Sequence, residues 1–198
     1  MVAIEAVAVF FGLLCVYWTI RQDIRCWPAG LVQVILYIVI FYRVRLYSDM
    51  LLHVIYVGLQ IYGWYHWRHG AAGVAPLRVT RLSGIGRAGW GLVALGGALC
   101  WGFIMDRATD AAVPYADAFT TVASLVAQWL MARKILESWG FWLAVDGVSV
   151  GIYLYKGLIL TAGLYAVFFG MATAGWIAWR RSLAGTDGTG AVRAPSAA

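Results

Sequence analysis

The sequence predicts an all-α integral membrane protein of seven transmembrane helices, ordered three plus one plus three. Three observations carry that prediction. Of 198 residues, 63% are hydrophobic and only 12% are charged, with a mean hydropathy of +0.77. Soluble domains run nearer half apolar and a quarter charged, so this chain has too few polar side chains to cover a water-facing surface. Seven apolar runs follow one another, each separated by a connector that holds most of the local charge. Finally, the chain aligns with itself at an offset of 112 residues.

A hydrocarbon core of about 30 Å asks for roughly 17 to 25 helical residues. The first run, residues 4–19, begins within the opening "MVAIEAVAVF", which lacks a basic region and carries Glu5, so it reads as a span and not as a signal peptide. Residues 27–42 open on "WPAG", with Pro28 in a first turn where its missing N–H is harmless. Residues 46–67 form the third span, and the Gly- and Arg-containing loop "RHGAAGVAPLRVTRLSGIGR" follows it. Residues 88–105 form a linker helix, and spans at 118–132, 139–155 and 158–179 complete the set. Small and polar residues, "AGTDGTGAVRAPSAA", end the chain. The organisation is therefore a first three-helix repeat at 1–69 and a second at 117–181. Between them, 70–116 holds a cytoplasmic loop, the linker helix and an outer loop; 182–198 is a disordered cytoplasmic tail.

Basic residues orient the spans. Eleven of the fifteen Lys and Arg fall on one side and four (Arg43, Arg45, Arg107, Lys156) on the other, where Glu5, Asp49, Asp106, Asp110 and Asp117 gather. The N-terminus is thus expected outside and the C-terminus in the cytoplasm. Topology accounts for the net charge of +6, and no nucleic-acid partner is needed.

At the 112-residue offset, Trp27 meets Trp139, Arg21 meets Arg133, Leu46 meets Leu158, Gly58 meets Gly170, and "GWYHWR" meets "GWIAWR". A three-span unit is odd-numbered, so a seventh helix must intervene for both copies to face the same way. That arrangement resembles the parallel repeats of SWEET sugar transporters, in which the substrate site lies near midplane at the repeat interface.

The sixth run carries Asp146 between aromatic rings. A carboxylate at bilayer depth costs about 3 kcal/mol on insertion scales, so such residues face a cavity and serve a function. On a helix, Trp139, Trp142, Asp146, Ser149 and Tyr153 fall within an arc of about 80°. The third span presents His53, Tyr56, Gln60, Trp64 and Trp67, and the seventh presents Tyr165, Phe168, Trp176 and Trp179. Aromatic faces attract cations, by about 2 kcal/mol or more when desolvated. One carboxylate beside indoles and a glutamine suits a flat cationic or hydrogen-bonding heterocycle, whereas a phosphorylated anion would want arginine at depth.

Plainer readings exist for each feature. Trp27, Trp67, Trp139 and Trp179 lie near span ends, where interfacial anchoring is the ordinary explanation. Gln60 could join two helices by hydrogen bonding, and Asp146 could pair with Lys156. His66 and His69 have no carboxylate or cysteine beside them, and the three cysteines form no CxxC pair, so neither a metal nor a cofactor is expected. Retinal would need a lysine within the last span, which is absent. No HExxH, GxSxG or GxxxxGK[ST] pattern appears, so the chain is not expected to be an enzyme. A seven-helix receptor or a structural subunit would leave the polar faces on both repeats unexplained.

The motifs "WPAG", "QIYGWYHW", "SWGFWLAVD", "LYKGLILT" and "GWIAW" together resemble the PnuC-type (Pnu) family of bacterial vitamin transporters, over about residues 17–179. The resemblance implies a SWEET-like fold, a homotrimer in the bacterial inner membrane, and facilitated diffusion of nicotinamide riboside trapped by a cytoplasmic kinase. Relatives carry thiamine or riboflavin; nicotinamide riboside ranks first, thiamine second and riboflavin last, because a pyridinium and a thiazolium would both use Asp146 and neutral riboflavin would not. The expected substrate-binding set is Gln60, Trp64, Trp142, Asp146, Tyr153, Ser149, Tyr56, Ser138 and Gln33. The family's substrate lies against the indole matching Trp142, with the glutamine matching Gln60 nearby. Where many nicotinamide riboside members carry Asn, this sequence has Ser138.

Overall fold

The computed structural model describes residues 2–45, 47–70, 77–109 and 112–190. Leu46, Asp110, part of the loop after the third helix and the tail from 191, which includes Arg193, lie outside the described residues. Seven α-helices run in order: α1 (Val2–Ile20), α2 (Cys26–Arg43), α3 (Tyr47–His69), α4 (Gly84–Ala108), α5 (Pro114–Ala132), α6 (Ser138–Tyr155) and α7 (Ile159–Gly190). The last helix thus continues into the segment that the sequence marks as tail.

Four of these helices, α1, α2, α4 and α7, are long and apolar enough to cross a membrane. Among the described residues, the other three, α3, α5 and α6, include every buried polar residue found within a helix except Thr19: Gln60, Ser124, Gln128, Ser138, Asp146 and Ser149. Polar side chains turned into the bundle lower a helix's average hydropathy while leaving its outward face apolar. That is why the seven runs read from sequence and the four helices found by composition differ.

Helices pack in two sequential triplets, α1 on α2 on α3 and α5 on α6 on α7, joined where α1 meets α7 and α3 meets α5. Among the described residues, α4 packs on α5 alone. Its buried face is a small-residue stripe, Ala94, Ala98 and Gly102, spaced one turn apart. Small residues let two helix backbones approach closely in a membrane, where hydrophobic burial gives little drive. Ser83 caps the start of α4, accepting a hydrogen bond from the Gly86 N–H at 3.1 Å.

Backbone geometry recurs at the spacing seen in the sequence. The α1–α2 and α5–α6 turns each hold one left-handed residue, Gln22 (φ 56°) and Lys134 (φ 53°). The α2–α3 and α6–α7 turns do likewise, at Arg45 (φ 61°) and Gly157 (φ 72°). A left-handed residue after a helix lets the next N–H groups satisfy the last carbonyls. Accordingly, the Gln22 N–H bonds to the Thr19 carbonyl and the Lys134 N–H to the Met131 carbonyl, both at 3.0 Å.

Side chains follow the same rule. The ring of Trp27 occupies the space a Cβ on Gly63 would need, and that of Trp139 does so at Gly175. Trp27 stands edge-on to Trp67 at 5.3 Å, and Trp139 to Trp179 at 5.5 Å. Across the two triplets, Trp67 Nε1 donates to the Met131 carbonyl (3.3 Å) and Trp179 Nε1 to the Thr19 carbonyl (3.0 Å). These four indoles are therefore buried against one another, between 0% and 7% exposed. The anchoring expected from their place near span ends does not hold, because a glycine on the neighbouring helix opens a slot for each of two rings.

One feature breaks the pairing. The stretch after α3 returns to the α5–α6 turn, where Thr80 forms an isolated parallel bridge with Ile135. Lys134 Nζ donates to the Leu77 carbonyl at 3.0 Å and lies 4.4 Å above the Trp67 ring, with burial lowering its pKa from the ordinary lysine value. Glu137 accepts from the Leu82 N–H and faces Arg87 at 3.5 Å.

Candidate functional site

Helix α6 presents the face read from sequence. Asp146 and Ser149 are buried at 5% and 4% exposure, and Trp142 and Tyr153 are half-buried. Asp146 makes no hydrogen bond or ion pair with any described residue. Lys156, the cation weighed as its partner, pairs instead with Asp117 at 3.5 Å. The acid therefore sits inside the bundle without a compensating charge among the described residues, and an acid so placed in a membrane bundle is a candidate for function.

From α3, Tyr56 donates its hydroxyl proton to Ser124 Oγ on α5. One turn further along, Gln60 is 6% exposed, its carboxamide fills the space beside Gly30 of α2, and its Oε1 has no partner. Trp64 and Trp142 both pack, half-buried, against the indole cluster, placing the two deeper indoles at one end of the polar region. At the other end Tyr153 stacks on Tyr165 (5.2 Å, 20° between planes), and Phe168 meets Tyr165 edge-on.

Two of the expected residues lie apart from this cluster. Ser138 is fully buried in the α5–α6 turn, where its hydroxyl donates to the Ile135 carbonyl at 2.7 Å. It stands eight residues, about 12 Å of helix, from Asp146. Gln33 packs against Gly12 of α1. Conversely, α5 brings two buried polar residues that the sequence reading passed over, Ser124 and Gln128. Their signal was present as two polar residues one turn apart within an apolar run.

What the cluster offers chemically is one carboxylate, neutral amide and hydroxyl groups, and aromatic faces at both ends. Groups of that kind hold and orient a small molecule; they supply no activated nucleophile. Apolar helices around such an interior define a multi-pass membrane protein of the transporter class, and comparison with known proteins narrows the class. The profile of the nicotinamide mononucleotide transporter family matches residues 2–181, and the chain belongs to that family. It is 29% identical to the nicotinamide riboside transporter PnuC of Escherichia coli (strain K12), over 90% of this chain and 85% of that one. It is 25% identical to the riboflavin/roseoflavin transporter RibM of Streptomyces davaonensis, over 88% and 83%. The crystal structure of the vitamin B3 transporter PnuC superposes with a TM-score of 0.72 at 25% identity, covering 90% of this chain and 80% of that one. These relatives are transporters and not enzymes.

Proposed function

We propose that the protein imports nicotinamide riboside by facilitated diffusion, with the pyridinium held between Asp146 and the Trp142 indole. The single observation that carries this reading is the buried Asp146 with no cationic partner. A substrate that brings its own positive charge supplies what the carboxylate lacks. The relatives named for nicotinamide riboside support the same assignment.

In this reading all seven helices span the bilayer, α1 to α3 and α5 to α7 are parallel SWEET-like repeats, and the passage runs between them. The recurrence of turns, glycine slots and indole hydrogen bonds at 112 residues supports that arrangement. The basic-residue bias supports an outer N-terminus and a cytoplasmic C-terminus in the inner membrane. Gln60, Trp64, Tyr56, Ser149 and Tyr153 surround the substrate, whereas Ser138 and Gln33 act at its periphery through packing. Family resemblance supports a homotrimer, and phosphorylation by a cytoplasmic kinase keeps the imported vitamin inside.

Riboflavin is the second reading, favoured by the likeness to RibM, and thiamine the third. Thermal-shift measurements on the purified protein against all three vitamins separate them. Nicotinamide riboside is expected to raise the melting temperature most. A shift with riboflavin alone would overturn the assignment, since a neutral isoalloxazine has no use for an unpaired buried acid.

A further inference from the structure

Helices α3 and α5 run in the same direction and touch along matched levels. Tyr56 bonds to Ser124, and Tyr62 stacks on Trp129 at 5.1 Å with 12° between the ring planes. Nearer the helix ends, Trp67 bonds to the Met131 carbonyl. One turn beyond the Tyr56–Ser124 bond, both helices place a glutamine: Gln60 on α3 and Gln128 on α5. Both pairs are separated by 68 residues, so the two carboxamides share a level.

Gln60 Oε1 has no partner, and Gln128, 8% exposed, makes no hydrogen bond with any described residue. Keeping a glutamine largely buried without a hydrogen bond is unfavourable. The fold keeps two such groups at one level, where a pair of leucines would pack without that cost. Each glutamine offers an acceptor oxygen and two donor hydrogens.

The geometry points to Gln128 as a specificity-determining residue that, with Gln60, hydrogen-bonds the uncharged carboxamide of the transported ring. The inference rests on the proposed transport of nicotinamide riboside. Gln60 is one turn from Trp64, and Trp64 and Trp142 pack against the same indole cluster. Asp146 is one turn from Trp142, a rise of about 6 Å. Gln60 and Asp146 thus stand one turn from the same cluster, on α3 and α6, and a pyridinium substituted with a carboxamide bridges the two helices, its positive ring toward Asp146 and its amide toward the glutamines. A carboxylate in place of the amide would find acceptor oxygens without a cation to balance it.

Calorimetric titration of purified protein with nicotinamide riboside and with N-ribosylpyridinium, which lacks the carboxamide, tests this. The wild type is expected to bind the truncated ligand at least tenfold more weakly, because the site's amides are then left unpaired. Gln128→Leu is expected to lose about tenfold or more toward nicotinamide riboside while binding N-ribosylpyridinium undiminished. Gln128→Asn, which keeps a carboxamide one methylene short, should show the same loss of discrimination if the leucine variant does not fold. Equal weakening toward both ligands, or no weakening, overturns the role of Gln128. Failure of the wild type to bind nicotinamide riboside at all would instead remove the transport assignment on which the role depends.

Discussion

At the scale of single residues, Asp146 was legible because an acid in an apolar run is rare and expensive. Gln60 was legible for a similar reason, its amide lying among rings at helical spacing. Ser124 and Gln128 escaped because the aromatic residues of α5, Tyr115, Phe119 and Trp129, lie on its opposite face, and only the packing of α5 on α3 gives the polar pair meaning. Ser138 was placed in the site by resemblance, yet its hydroxyl is committed to a turn carbonyl. The paired turn residues Gln22 and Lys134 supply a further test at this scale. Left-handed geometry costs a non-glycine residue about 1–2 kcal/mol. Gln22→Gly should therefore stabilise by roughly 0.5–1 kcal/mol, after allowing for glycine's greater unfolded-state freedom. Lys134→Gly removes the same strain but also the hydrogen bond to Leu77 and the cation over Trp67. Its net effect should be a loss of about 1 kcal/mol. Melting curves in detergent read both, and equal gains for the two variants would mean that the Leu77–Leu82 strap contributes nothing.

At the scale of elements, helix existence followed from apolar run length, and the observed helices differ from the expected spans mainly at their ends. Length alone did not reveal how α2 meets α3 or α6 meets α7. Those contacts depend on Gly63 and Gly175, each accommodating an indole from the preceding helix. Sequence showed the "GW" pairs aligned but not the slot they form, because the ring that fills it comes from another helix. Gly63→Ala and Gly175→Ala should each destabilise the protein, by about 1–3 kcal/mol as expected for overpacking. Comparable losses are expected because the two slots are built alike. Tolerance of alanine at either position, measured as an unchanged melting temperature, would show that the indole can move aside.

At the scale of the whole molecule, one arrangement of three helices occurs on both sides of α4, and the buried polar groups gather where α3 and α5 meet and along α6. The recurrence at 112 residues is visible in the sequence because Trp, Gly and Arg fall in register, residue types that chance seldom aligns. The closed ring of contacts, α3 with α5 and α7 with α1, could not be read, since no local pattern encodes which triplet edges touch. That closure joins the two triplets into one bundle with an unpaired acid buried on α6. The most direct test is uptake of labelled nicotinamide riboside by liposomes containing the wild type or Asp146→Ala. Uptake by the wild type that falls at least tenfold in the variant, with the melting temperature retained, is the predicted result. Equal uptake by both proteins would contradict it.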